Sequence, residues 1–438
     1  MLFKSQVPQL FNRLGLDLYN STNQARKEDT AKRLNFYHDA QLERLSEQLS
    51  QLFSEPENMI KVTLNIVKKI INNLAQVYRE PPVRTLEGGT ETDQQLYSEI
   101  LEQCAFDVKI KQASRYANLL KTILLRPVWR NEKLDLDILT GNLLDVVTGD
   151  TPEILEKVLI TNYGTSEKIE DVTYSLWTPE TWTRLDYRGN VIEQEANPYK
   201  TLPFLPVFCY APPSSAFWLP GGEDLMSLQE AINIQLVSLQ WTIFNQSYGV
   251  GFLKGGQPGA SLRVDPGSLV ELPENGEIGF ASQEAKIKET VDAIDRLIKW
   301  AAISNGLSAG SMSTDPIEQS GISKAWDSKE LAEARSDDIK LWRSYEKRLF
   351  NLIRVVWNTH SNKKLSESAT LNIDFAEVEA KLSVKEQAQA DDLKIAQGVL
   401  SPVDVLLSDN PDFQGDREKA MAHLLKIKDE LKELGLTP

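Results

Sequence analysis

A mainly helical α+β fold is predicted by three features of this 438-residue sequence. Toward both ends, apolar residues recur at three- and four-residue steps, the period of helices with one buried face. Residues 126 to 210 instead carry short alternating or β-rich runs cut by glycine turns. Two more helical stretches then bracket a glycine-rich segment, 249 to 284. A chain this long exceeds what one core serves, so roughly two or three domains are expected.

The opening MLFKSQVPQLFNRLGL is amphipathic and lacks a signal peptide's apolar core and small-residue cleavage site, so secretion is not expected. Leu34, Tyr37, Leu42, Leu45, Leu49 and Leu52 predict one helical piece that ends before Pro56. Ile60, Leu64, Val67, Ile70, Ile71, Leu74 and Tyr78 predict a core helix over MIKVTLNIVKKIINNLAQVY, stopped by Pro81-Pro82. A third helix is expected from about Gln94 to Leu124, with Leu96, Ile100, Cys104, Val108, Ile110, Ala113, Leu119 and Leu120 along it.

From Arg126 to Tyr210 a mainly antiparallel β subdomain is expected, with a turn at Arg188-Gly189-Asn190 and with Trp177 and Trp182 anchoring its packing. Glu223-Asp224 after the Pro-Gly-Gly turn marks a helix start, because negative charge there complements the helix dipole. Leu225, Leu228, Ile232, Leu236, Leu239 and Ile243 carry that helix to near Gly249. Within 249 to 284, strand signals fall at Leu262 to Val264 and Ser268 to Leu272.

A helix resumes over 286 to 303, with Ile287, Val291, Ile294, Ile298 and Ala301 inward. Lys288 with Asp292 and Asp295 with Lys299 are expected as four-residue ion pairs. Another long helix is predicted from about Ile322 to Asn358, followed by a strand in LNIDFAEV. SVKE at Ser383 to Glu386 is a capping box for a helix closed by Gly398, and Ser401-Pro402 opens a short helix. A final charged helix is expected from about Gly415 to Leu434.

The chemistry offered by these residues is sparse. Gly306-Leu307-Ser308-Ala309-Gly310 spells G-x-S-x-G, the nucleophile-elbow pattern, and a serine hydrolase using Ser308 is an alternative reading. The elbow needs a strand before it and a helix directly after. Here a helix precedes and a loop containing Asp315-Pro316 follows. Gly249-Val250-Gly251 lacks the third glycine of a dinucleotide loop, and Lys254 precedes its glycines where a phosphate loop requires the reverse.

His38, His360 and His423 have no metal-ligand spacing, while Cys104 and Cys209 read as buried small hydrophobes. Asp337-Asp338 and Asp391-Asp392 point to different azimuths of their helices, so solvated faces are expected and not metal clusters. No enzyme activity, cofactor or metal is expected, and no apolar run is long enough to cross a bilayer. The net charge of −15 argues against tight wrapping of nucleic acid but is compatible with a wall past which DNA slides.

In order and spacing the sequence resembles the portal proteins of tailed bacteriophages, which form the DNA-conducting ring at one capsid vertex. NIVKKIINNLAQVYREPP resembles that family's early helix, and LPVFCYAPPSSAFWLPGGEDLMSLQEAIN its passage from a strand into the first stem helix. QSGISKAWDSKELAEARSDDIKLWRSYEKRLFNLIRVVW resembles its long wing helix. The resemblance implies a wing over 1–220, a first stem helix over 221–248, a clip over 249–285 and a second stem helix over 286–303. It further implies a tunnel loop over 304–321, a long wing helix and return strand over 322–376, and a crown over 377–438.

It implies a homo-oligomeric ring of about twelve subunits, non-sequence-specific double-stranded DNA in the channel, and no membrane partner. The other implied partners are the large terminase subunit, a head-tail connector protein, and a major capsid or scaffolding protein. The location implied is the virion, with the host cytoplasm during assembly. Channel-facing tunnel-loop residues would be Asn305, Gly306, Ser308, Gly310, Ser311, Met312, Ser313 and Thr314. Lys286, Lys288 and Lys299 would be DNA-facing stem positions, and Lys254, Arg263, Glu271 and Glu274 would dock terminase or connector. A non-viral helical scaffold without a channel is the remaining alternative.

Overall fold

The computed structural model describes residues 21–164, 168–248, 250–254, 277–281, 287–312, 321–375, 384–410 and 416–433. They form an α+β fold, mainly helical. The chain divides into two compact units, one from Met1–Pro316 and Glu330–Ala376, the other from Ile317–Lys329 and Glu377–Pro438. Among the described residues no helix is long and apolar enough to cross a membrane.

The first described elements of the first unit are α1 (Ser21–Tyr37) and α2 (Leu42–Leu52), where the apolar spacing had predicted one piece. The break is a backbone device. Asp39 takes φ 65°, and bonds from Asp39 N to Phe36 O (3.2 Å) and from Ala40 N to Asn35 O (2.8 Å) close α1 in a Schellman pattern.

The next helix, α3, spans only Ile66–Leu74, and Ile60 and Leu64 lie exposed ahead of it. Asn65 caps it by accepting from Lys68 N at 2.9 Å. The expected third helix is two, α4 (Glu91–Gln103) and α5 (Phe106–Leu120), parted where Ala105 adopts φ 50°. Lys121 at φ 68° ends α5, so Leu124 belongs to a strand.

The β subdomain forms two sheets. Strands β2 (Thr122–Arg130), β3 (Lys133–Thr140) and β9 (Leu205–Phe208) pair antiparallel in the order β3-β2-β9. Strands β4 (Leu144–Thr148), β5 (Leu155–Asn162), β6 (Thr173–Trp177), β7 (Thr181–Leu185) and β8 (Val191–Ala196) form a meander. The turn after β7 forms as expected: Asp186 Oδ1 accepts from Arg188 N and Asn190 N at 2.8 Å, with Gly189 at φ 84°.

A two-stranded sheet joins β1 (Val83–Glu87) to β12 (Thr370–Asp374). Helix α8 (Gly321–His360) lays Tyr345, Leu349, Phe350 and Ile353 against Ile110, Ala113, Ile123, Leu125 and Val207 in the largest core.

In the second unit, α9 (Val384–Ala396) is closed by Gly398 at φ 71°, with Gly398 N bonded to Ile395 O and Val399 N to Lys394 O. Helix α10 (Pro402–Asp409) is capped by Ser401 and Asp404 in a reciprocal capping box, and Asp404 also pairs with Arg417 on α11 (Arg417–Glu433). Ser383, the predicted cap of the helix before Gly398, lies outside the described residues, as do the strand signals at 262–264 and 268–272.

Candidate functional site

The candidate site is a hairpin of two long helices, α6 (Glu223–Tyr248) and α7 (Ile287–Ser304). Gly221 and Gly222, at φ 121° and 88°, bend the chain into α6, and Arg33 Nη1 donates to Gly221 O at 2.5 Å to hold the bend. Glu223 and Asp224 fill the first turn, as the helix dipole favours. Ser304 Oγ donates to Asp224 Oδ2 at 2.7 Å, so the last turn of α7 is tied to the first turn of α6 and the two run antiparallel. Ile232 and Leu239 of α6 and Ile294, Ile298, Ala301 and Ala302 of α7 share one core with Ile66, Val67 and Ile70 of α3.

Within this apolar face lie three buried amides. Gln229 Oε1 accepts from Ile66 N at 2.9 Å and Val67 N at 3.2 Å, while its Nε2 donates to Leu64 O at 2.7 Å and Asn233 Oδ1 at 3.0 Å. Asn233 Nδ2 in turn donates to Gln41 Oε1 at 2.7 Å. A helix N-terminus leaves its first N–H groups unpaired. The side chain of Gln229 supplies the partner for two of them, which is why α3 starts at Ile66 and not near Ile60. These residues escaped sequence reading, although two amides one turn apart inside an apolar stripe are a legible signal.

At the other end of the hairpin, β10 (Val250–Lys254) follows α6, and β11 (Glu277–Ala281) precedes α7 across an intervening segment. The two pair antiparallel with Lys254 opposite Glu277. This strand pair was not anticipated. Arg263, Glu271 and Glu274, the other clip residues, lie outside the described residues, as does Lys286. Lys299 pairs with Asp295 at 2.5 Å as expected. Among the described residues Lys288 and Asp292 are both exposed and form no ion pair.

The G-x-S-x-G segment forms the return of the hairpin. Gly306 at φ 73° donates from its N to Ile303 O at 3.0 Å, and Leu307 N reaches Ala302 O at 2.9 Å, a Schellman cap of α7. A 3₁₀ turn over Ala309–Met312 follows, with Ser311 Oγ donating to Ser308 O at 2.7 Å. Helix before and 3₁₀ turn after is not the setting of a nucleophile elbow.

His38 bonds Tyr116 and His360 bonds Tyr199 through their Nε2 atoms at 2.8 and 3.0 Å, so each imidazole is committed elsewhere. Burial pushes the thiols of Cys104 and Cys209 up to about 11, which leaves both inert at neutral pH. Among the described residues no group of three or more His, Cys, Asp or Glu could hold a metal.

One expected site residue is corrected: Met312 is buried with Leu307 in the hairpin core, because an apolar side chain beside that core gains more there than in a lumen. Asn305, Gly306, Ser308, Gly310 and Ser311 lie along the same capped turn, and Ser313 and Thr314 fall outside the described residues.

No protein-family model matches the sequence, and no curated protein matches it. Solved structures similar to the chain include the virion of a native gene transfer agent particle, at TM-score 0.44 and 11% identity over 77% of this chain and 87% of that one. The neck of the empty particle with C6 symmetry matches at 0.41 and 12%, over 78% and 89%, and the neck of the native particle with C12 symmetry at 0.41 and 13%, over 77% and 87%.

Proposed function

We propose that the chain is the subunit of a portal ring, a channel at one capsid vertex of a tailed phage through which double-stranded DNA is packaged and ejected. The observation that carries this reading is the order of elements. A β subdomain feeds a long helix, a paired-strand tip and an antiparallel return helix, and a capped turn then leads toward a 40-residue helix. That is the order in which the sequence resemblance expects wing, stem, clip, stem, tunnel loop and long wing helix.

In this reading 221–248 and 286–303 are stem, 249–285 is clip and 304–321 is tunnel loop. The wing is 1–220 with 322–376, and the crown is 377–438. The tip docks the large terminase subunit and later a head-tail connector through Lys254, Arg263, Glu271 and Glu274, and a capsid or scaffolding protein surrounds the wing. Lys286 and Lys288 face DNA as rings of positive charge, with Lys299 a third stem position whose charge is shared with Asp295. Asn305, Gly306, Ser308, Gly310, Ser311, Ser313 and Thr314 line the narrowest point.

The chain performs no chemistry. At −15 per subunit, about twelve copies carry a formal charge near −180, which keeps DNA from adhering in transit. Negative-stain images of the purified chain test the reading: rings of about twelve subunits with a central hole are expected, and particles without a hole overturn it.

A further inference from the structure

A cavity of about 390 Å³ opens in the first unit where the β subdomain meets α8. That volume falls within the range of small-molecule sites, roughly 300–1,000 Å³. Its walls come from 153–155 at the head of β5, 201–205 leading into β9 and 348–352 of α8, with Pro179 from the turn between β6 and β7. The cavity sits at a seam between two cores: Leu202 and Phe204 belong to that of the β subdomain, Leu205 and Leu352 to the one under α8.

Its floor is apolar and its mouth polar. Leu202, Phe204 and Leu205 are 7%, 5% and 2% exposed, whereas Thr201 and Asn351 are exposed and the side chains of Glu153 and Arg348 are 48% and 35% exposed. Among the described residues, Glu153 and Arg348 carry the only charges on the lining. Arg348 Nη1 donates to Glu153 Oε2 at 2.9 Å, and neither side chain makes another hydrogen bond among the described residues. Asn351 Oδ1 accepts from Arg354 Nη2 at 3.0 Å, which leaves its Nδ2 as a spare donor. An ion pair this exposed is weak, so it gives way to better partners.

We infer that the cavity binds a free apolar α-amino acid. The side chain fills the space above Leu202, Phe204, Leu205 and Leu352, where burial drives it. The carboxylate takes the remaining N–H groups of Arg348 and the Nδ2 of Asn351, and the ammonium takes Glu153 and the Thr201 hydroxyl. A lone carboxylate meets the repulsion of Glu153, and a lone amine that of Arg348. A peptide carries its two charges at opposite ends of the chain. Only a molecule with both charges on one carbon, beside an apolar body, matches the mouth and the floor together. None of these residues belongs to the hairpin of α6 and α7, so the site does not depend on the portal reading.

The test titrates L-phenylalanine into the full chain by saturation-transfer NMR, with circular dichroism as the fold control. Half-saturation at about 2 mM or below is expected, the figure for a molecule of this size at ordinary ligand efficiency. The Tm is expected to rise with added ligand, since binding favours the folded state. N-acetyl-L-phenylalanine lacks the ammonium, L-phenylalaninamide the carboxylate and glycine the apolar body. Each is expected to bind at least about tenfold more weakly.

Glu153→Gln is expected to lose the preference over the N-acetyl form, and Arg348→Gln the preference over the amide, each keeping the other. A merely structural ion pair would not exchange these preferences. A folded wild type without saturable binding overturns the proposal, as do blocked analogues that bind as tightly as phenylalanine. Two folded variants that both keep the wild-type preferences overturn it equally. Should a variant misfold, the three analogues against the wild type decide alone.

Discussion

Glu346 is 1% exposed, yet every neighbour it needs is in place: Arg84 donates to both of its carboxylate oxygens at 2.6 and 3.0 Å, and Tyr78 Oη donates at 2.7 Å. Arg84 also donates to Asp107 at 2.7 Å and lies over the Phe106 ring at 4.9 Å. A buried pair adds little net stability, but removing one partner strands the other charge. Glu346→Ala is therefore expected to lower stability by roughly 3–5 kcal/mol in urea denaturation.

Asp338 on the same helix is the opposite case. Burial, with Asp337 adding like charge, pushes its carboxyl up to about 6. A folded-state value above the ordinary 3.8 means that the native state holds the extra proton, so stability falls as pH rises from near 4 through about 6. Asp338→Asn is expected to raise the Tm at pH 7 and to leave it nearly unchanged at pH 4. An equal shift at both values would show that charge is not the cause.

Among elements, the two helices of the hairpin were the most legible. The α6 stripe, the acidic first turn and the Asp295–Lys299 pair follow from three- and four-residue spacing alone. Helix breaks were not legible. Asp39, Ala105 and Lys121 adopt positive φ without being glycine, and apolar periodicity runs straight through them. The start of α3 was hidden for another reason: beside the local cap Asn65, the partner of its Ile66 and Val67 N–H groups is Gln229, more than 160 residues later in the chain. Gln229→Leu keeps the volume but leaves Ile66 N, Val67 N and Leu64 O without that partner. A loss of roughly 1–3 kcal/mol is expected, with faster amide exchange at Ile66 and Val67 as the local readout.

At the scale of the whole molecule, the reading rests on the order of elements, and residue-level roles were much less legible. Met312 shows why. A glycine- and serine-rich stretch reads as a loop, but Gly306 caps α7 and turns Leu307 and Met312 back into the core, so half of the expected loop is built structure. The amides Gln229, Asn233 and Gln41 bear on the same scale. They key α6 to Gln41 and to the start of α3 as a spline keys a shaft: rotating the helix by one residue would break the five hydrogen bonds that Gln229 and Asn233 make to Gln41, Leu64, Ile66 and Val67. A twist of α6 about its own axis is thus resisted where Gln229 and Asn233 grip the start of α3 and Gln41.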